Sequence, residues 1–112
     1  MNAMPNLEAI CKRVASSYKK VYGDNIDGIY LYGSYARDDF DEESDIDFVA
    51  IVEGEREDLQ KKCHAVRNDT NQMDLEYDIV TQATVIPLAE FRKYKDSSGY
   101  YRNIAKEGRR IE

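Results

Sequence analysis

The chain holds no run of apolar residues approaching the roughly 20 that a membrane-spanning helix needs. Its start shows no basic, apolar, small-residue progression, so no secretory signal is expected. Two cysteines, Cys11 and Cys63, lack paired spacing, and the one histidine, His64, has no ligand partner to complete a zinc site. The cysteines therefore read as small core residues of a reduced, cytoplasmic protein, and His64 as a surface residue. Basic charge is also in short supply, with 16 Lys and Arg against 22 Asp and Glu and a net charge of −6. General nucleic-acid binding neutralises many phosphates with Lys and Arg, so direct nucleic-acid binding is not expected here.

What is present suits one globular domain. The 112 residues are 42% hydrophobic and 34% charged, enough for a single core with a solvated surface. The expected domain is 1–112, with Met1 to Ala3 set aside as an expression remnant because Met1 and Met4 offer two starts.

The order of elements follows from periodicity. Asn6 can cap a helix whose Leu7, Ile10, Cys11, Val14, Tyr18, Val21 and Tyr22 recur at three and four, and Gly23 ends it. Residues 26–32 read as a strand, 34–37 as the first turn of a short helix, and 38–44 as an acidic loop. Residues 46–52 form a second strand, apolar on both faces beyond Asp47 and so expected to be central. A helix follows over 55–71, with Leu59, Cys63 and Val66 inward and acids in its first turn. Alternation of Leu75, Tyr77 and Ile79 predicts a third strand over 75–80, with a further short strand at 84–86. Two short helices, 88–95 and 100–106, close the chain around Ser97-Ser98-Gly99. This is an α/β (α+β) layer domain.

The chemistry concentrates in Gly33-Ser34-Tyr35-Ala36-Arg37 and, six residues later, Ser44-Asp45-Ile46-Asp47. A glycine closing a strand lets a phosphate approach the backbone, and Ser34 adds a hydroxyl at a helix start. Asp45 and Asp47, two apart on a strand, send both carboxylates from one face. Such a pair repels itself unless a hard cation bridges it, and Mg²⁺ suits oxygen ligands. Gly-Ser after a strand is a common turn and Asp-x-Asp a common surface pattern. Together, on consecutive strands, with Asp47 against an apolar run where an idle charge is costly, they point to a Mg²⁺-bound triphosphate.

These residues, continued through Phe48 and Val49, resemble the signature of the DNA polymerase β-type nucleotidyltransferase superfamily. More narrowly the chain is similar to the minimal nucleotidyltransferases of the MNT antitoxin type, in length, in helix-first order and in its closing Tyr101-Arg102-Asn103-Ile104-Ala105-Lys106-Glu107-Gly108. The resemblance implies a mixed β-sheet flanked by α-helices. It implies nucleotide binding by Gly33 and Ser34, with Arg37 read equally as a phosphate ligand or a surface residue. Asp45 and Asp47 would be the catalytic, metal-holding acids, with two Mg²⁺ ions and ATP as substrate. A third carboxylate is implied on a later strand, with Asp78 the candidate and Asp74 and Glu76 the fallbacks. The sequence departs from the family at Asp38, where a glycine is common, which adds negative charge near the phosphates.

The implied activity is transfer of AMP to an acceptor hydroxyl, a tyrosine of a cognate HEPN-domain toxin silenced by the modification. Two alternatives stand beside it: a non-catalytic antitoxin acting by binding alone, and an adenylyltransferase for a small molecule such as an aminoglycoside. Arg92, Lys93, Lys95, Arg102, Lys106, Arg109 and Arg110 read as a solvated face or as a docking surface. Tyr94, Tyr100 and Tyr101 are candidates for a protein interface, where tyrosine is enriched.

Overall fold

Helix α1 (Leu7–Tyr22) starts where expected, because the Asn6 side chain accepts a hydrogen bond from the Ala9 amide at 2.8 Å. It ends at Gly23, whose positive φ of 58° suits glycine. The computed structural model describes residues 6–37 and 45–112, with the side chains of Ser34 and Arg37 outside that description. After α1 come strand β1 (Ile26–Tyr32), the single turn α2 (Ser34–Arg37) and strand β2 (Ile46–Val52). Helix α3 (Arg56–Tyr77), strand β3 (Thr81–Pro87), helices α4 (Leu88–Tyr94) and α5 (Gly99–Glu107), and strand β4 (Arg109–Arg110) complete the order.

The strands form one mixed sheet in the order β3-β2-β1-β4. β1 is antiparallel to both β2 and β4, whereas β2 and β3 run parallel, with α3 as the long crossover that a parallel pair requires. β2 lies inside the sheet, as its continuous apolar run predicts, and Phe48 through Val52 are fully buried.

Period-two alternation sorts the strand residues onto two faces. On one, Ile29, Leu31, Phe48, Ala50, Ala83 and Val85 pack against Ile10, Val14 and Tyr18 of α1 and Leu59, Cys63 and Val66 of α3. Two hydroxyls fasten this layer: Tyr18 donates to the Thr84 carbonyl and Tyr22 to the Leu59 carbonyl, both at 2.7 Å. On the other face Val49 and Ile86 pack against Ile104 of α5, with Tyr30, Tyr32, Phe91 and Tyr101 around them. The exposed edge of β3 is covered by α3, since Gln60 donates to the Val85 carbonyl and Arg67 to the Ala83 carbonyl, each at 3.3 Å. Cys63 is buried, Cys11 partly so, both are free thiols, and His64 is exposed, as expected.

The segment around Asp78 differs from expectation. No strand forms over 75–80, because α3 continues to Tyr77. The inward stripe Leu59, Cys63, Val66, Thr70, Met73, Tyr77 keeps a spacing of three and four to the end, and burying Met73 outweighs the local alternation. Leu75, an inward residue of the expected strand, is 85% exposed. Asp78 is the C-cap of α3 at φ 54° and ψ 49°, a left-handed conformation that aspartate tolerates better than most residues. β3 accordingly starts at Thr81, earlier than the expected strand at 84–86, and runs to Pro87.

Asp74 locks this junction. Its carboxylate accepts from the Thr81 amide at 3.0 Å and from the Thr81 hydroxyl at 2.9 Å, fixing where β3 begins. Asp74→Ala leaves a part-buried amide and hydroxyl without their acceptor and is expected to lower the unfolding free energy by about 1–3 kcal/mol. Urea denaturation checks this, and an unchanged midpoint would show that the junction is held by packing alone.

Candidate active site

β1 ends at Tyr32 and the chain turns at Gly33, whose φ is 76°, before α2 begins. The Ala36 amide donates to the Gly33 carbonyl at 3.1 Å, closing the turn. A Cβ built on Gly33 would stand 2.7 Å from Oδ2 of Asp47. Glycine is therefore needed twice over: for its backbone angle and because the Asp47 carboxylate lies directly against it.

Sheet register assembles the remaining groups. Tyr32 of β1, Asp47 of β2 and Gln82 of β3 are cross-strand partners in one row. Period-two alternation puts that row on the face that α4 and α5 cover farther along, so the acids sit at the open end of the smaller core. Asp45 precedes β2, is exposed, and accepts a 3.5 Å hydrogen bond from the Gln82 side-chain amide. Tyr100 of α5 meets Tyr32 edge-to-face, with ring centroids 5.8 Å apart, and donates to the Tyr32 hydroxyl at 3.2 Å.

The electrostatics follow from this placement. Partial burial pushes the Asp47 carboxyl above the ordinary aspartate range, and the neighbouring Asp45 charge adds to the rise. Burial, the Tyr100 hydroxyl and the Asp47 charge push the Tyr32 phenol far above its usual value. Tyr32 is thus a hydrogen-bond donor at neutral pH and not a base. Among the described residues no Lys or Arg forms an ion pair with Asp45 or Asp47. Two adjacent acids, next to a glycine that leaves room, are a donor set that fits a hard divalent cation.

A family model for the nucleotidyltransferase domain matches residues 9–111. The chain belongs to that family. Two proteins of Methanocaldococcus jannaschii, each provisionally named a protein adenylyltransferase, are similar to this nucleotidyltransferase domain. One is 33% identical over 104 residues, covering 93% of this chain and 96% of that protein. The other is 35% identical over 71 residues, covering 63% of this chain and 70% of that protein. Among solved structures, one chain from a crystal structure of a toxin–antitoxin with AMP-PNP shares the fold, with a TM-score of 0.53 and 14% identity. That likeness covers 96% of this chain and 73% of the other. The resemblance to a minimal nucleotidyltransferase of the polymerase β-like superfamily is thereby borne out, as are its mixed-sheet fold and its class as a transferase.

The structure brings some of the anticipated residues together and not others. Gly33, Asp45 and Asp47 come together at one end of the sheet. The side chains of Ser34 and Arg37, and Asp38 with the rest of 38–44, lie outside the described residues. Asp78 is an exposed helix cap, and among the described residues no three His, Cys, Asp or Glu side chains group as a metal site. The fallbacks have other work: Asp74 holds Thr81, and Glu76 pairs with Arg13 of α1 at 3.2 Å. Sequence reasoning missed Gln82 because it assigned the parallel strand to the wrong residues. It placed Tyr32 in the sheet without seeing that register sets it opposite Asp47.

Among the described residues no helix is long and apolar enough to cross a membrane. The basic residues of the last third, Arg92, Lys93, Lys95, Arg102, Lys106, Arg109 and Arg110, are exposed.

Proposed function

We propose that this domain transfers AMP from MgATP to a hydroxyl of a partner protein, a tyrosine of a HEPN-domain toxin, and so acts as the antitoxin of the pair. The observation that carries this is Asp47 packed against Gly33 at the end of β1, with Asp45 two residues before it, in a chain of the nucleotidyltransferase family. The provisional names of its relatives support a protein as acceptor, and the fold neighbour supports the toxin–antitoxin setting.

In this reading the acceptor oxygen attacks the α-phosphorus, a new O–P bond forms, and the bond to the pyrophosphate oxygen breaks. Asp45 and Asp47 would hold Mg²⁺, which would neutralise charge on the triphosphate and on the leaving pyrophosphate. Gly33 and Ser34 receive the β and γ phosphates on the backbone and hydroxyl of the β1–α2 turn, with Arg37 as a further phosphate contact. A third carboxylate, with Asp78 at the C-cap of α3 the candidate, would take the acceptor's proton. Among the described residues no three acids group as a metal site, and a binding-only antitoxin stands as the second reading.

Incubation with labelled ATP, Mg²⁺ and the product of the neighbouring gene tests the proposal. Label on a tyrosine of the partner, abolished by Asp45→Ala with Asp47→Ala, is the expected result. Partner labelling by the double variant at the wild-type level refutes the catalytic assignment. Neutralisation of the partner with no metal-dependent ATP binding by calorimetry establishes the binding-only reading instead.

A further inference from the structure

Position 82 is singular in the sheet. It is the point on β3 in register with Asp47, and neighbouring strands stand about 4.8 Å apart, so its side chain emerges beside the two acids. The residue there is a glutamine, exposed, and its amide reaches back to Oδ2 of Asp45 at 3.5 Å. Asp45 precedes β2 and is itself exposed, and among the described residues this amide is the side chain that hydrogen-bonds it.

The choice of side chain has chemical consequences. A lysine in this place would neutralise Asp45 and compete with a cation. A glutamate would add a negative charge beside the two carboxylates. An aliphatic residue would leave Asp45 free among its rotamers. The amide alone restrains a carboxylate without cancelling its charge, and it brings an uncharged acceptor oxygen to the same place.

We propose that Gln82 is a positioning residue of the nucleotide site: its amide holds Asp45 in place for the cation while adding no charge of its own. The proposal rests on the nucleotidyl-transfer reading of Asp45 and Asp47. Its consequence is that the domain alone holds a divalent cation weakly, and that the triphosphate completes the site by bringing its own oxygens. The cation therefore enters with the nucleotide.

The test is binding of Mn²⁺, followed by electron paramagnetic resonance, to the wild type, Gln82→Ala and Gln82→Glu, with and without a non-hydrolysable ATP analogue. Gln82→Glu is expected to tighten Mn²⁺ binding without nucleotide by about tenfold or more, since the charge of the ligand set tunes affinity for hard cations. Gln82→Ala is expected to weaken Mn²⁺ binding in the presence of the analogue by about tenfold, the usual cost of removing a group that orients a metal ligand. Opposite shifts in the two variants, with equal urea midpoints in EDTA, separate positioning from a structural role. Wild-type affinity in both variants overturns the proposal while leaving nucleotidyl transfer standing. A wild type that binds no Mn²⁺ even with the analogue overturns both.

Discussion

Asp47→Asn is expected to give a domain that melts at a higher temperature than the wild type in metal-free buffer at neutral pH, yet transfers nucleotide about a thousandfold more slowly. The two effects share one cause. Partial burial and the neighbouring Asp45 raise the Asp47 carboxyl above the ordinary aspartate value of 3.8, so its charged form is disfavoured by folding. The native state then binds more protons than the unfolded chain across the window from that value up to the folded one. Stability falls as pH rises through this window, and the full loss is present above it. An isosteric amide removes the loss, but it also removes an anionic ligand for the metal.

Thermal melts at two pH values separate this account from a general packing effect. The gain from Asp47→Asn should be present at neutral pH and vanish at a pH below the ordinary aspartate range, where both side chains are neutral. Adding Mg²⁺ with an ATP analogue should raise the wild-type melting temperature by ligand linkage and leave the variant unmoved. A variant that melts below the wild type at neutral pH would show that Asp47 is stabilised by the fold. The acid would then be part of the scaffold and not a strained site group. That a function-bearing residue should cost stability is the usual pattern where charge is concentrated for chemistry.

The parts of the molecule legible in the sequence are those whose signal is local. The Asn6 cap and three-four stripe fix α1, and the two-sided apolar run of 46–52 identifies β2 as an inner strand. The segment before β3 misled because two periods overlap in it. Leu75, Tyr77 and Ile79 alternate as a strand would, whereas Met73 and Tyr77 extend the inner stripe of α3. Only the buried partners on the facing sheet and α1 decide between them, and those are distant in sequence. β3 was hard to see in full because its site face carries Gln82 and Thr84, polar where a half-buried strand would ordinarily be apolar. β4 has no local signature at all: Arg109 and Arg110 are exposed, and they form a strand because β1 offers them an edge. The site divides the same way. Gly33, Asp45 and Asp47 were readable from residue type and spacing. Gln82 and the Tyr32–Tyr100 contact follow from register and from how α5 packs, which no short motif encodes.

Gly33→Ala carries the second large effect, and it joins backbone and site in one measurement. The left-handed backbone at φ 76° costs a residue with a Cβ about 1–2 kcal/mol. The added methyl would also stand 2.7 Å from Oδ2 of Asp47, closer than unbonded atoms tolerate, so the carboxylate or the β1–α2 turn has to move. The expected outcome is a loss of about 2–3 kcal/mol in unfolding free energy, together with at least about tenfold weaker MgATP binding. The strain and the collision can be told apart with a double-mutant cycle. Asp47→Ala relieves the collision but not the backbone strain, so Gly33→Ala should cost about 1 kcal/mol less in that background than in the wild type. Additive costs would mean that the carboxylate swings aside freely. In that case the contact with Gly33 does not fix Asp47, and the acid's position must come from the strand alone.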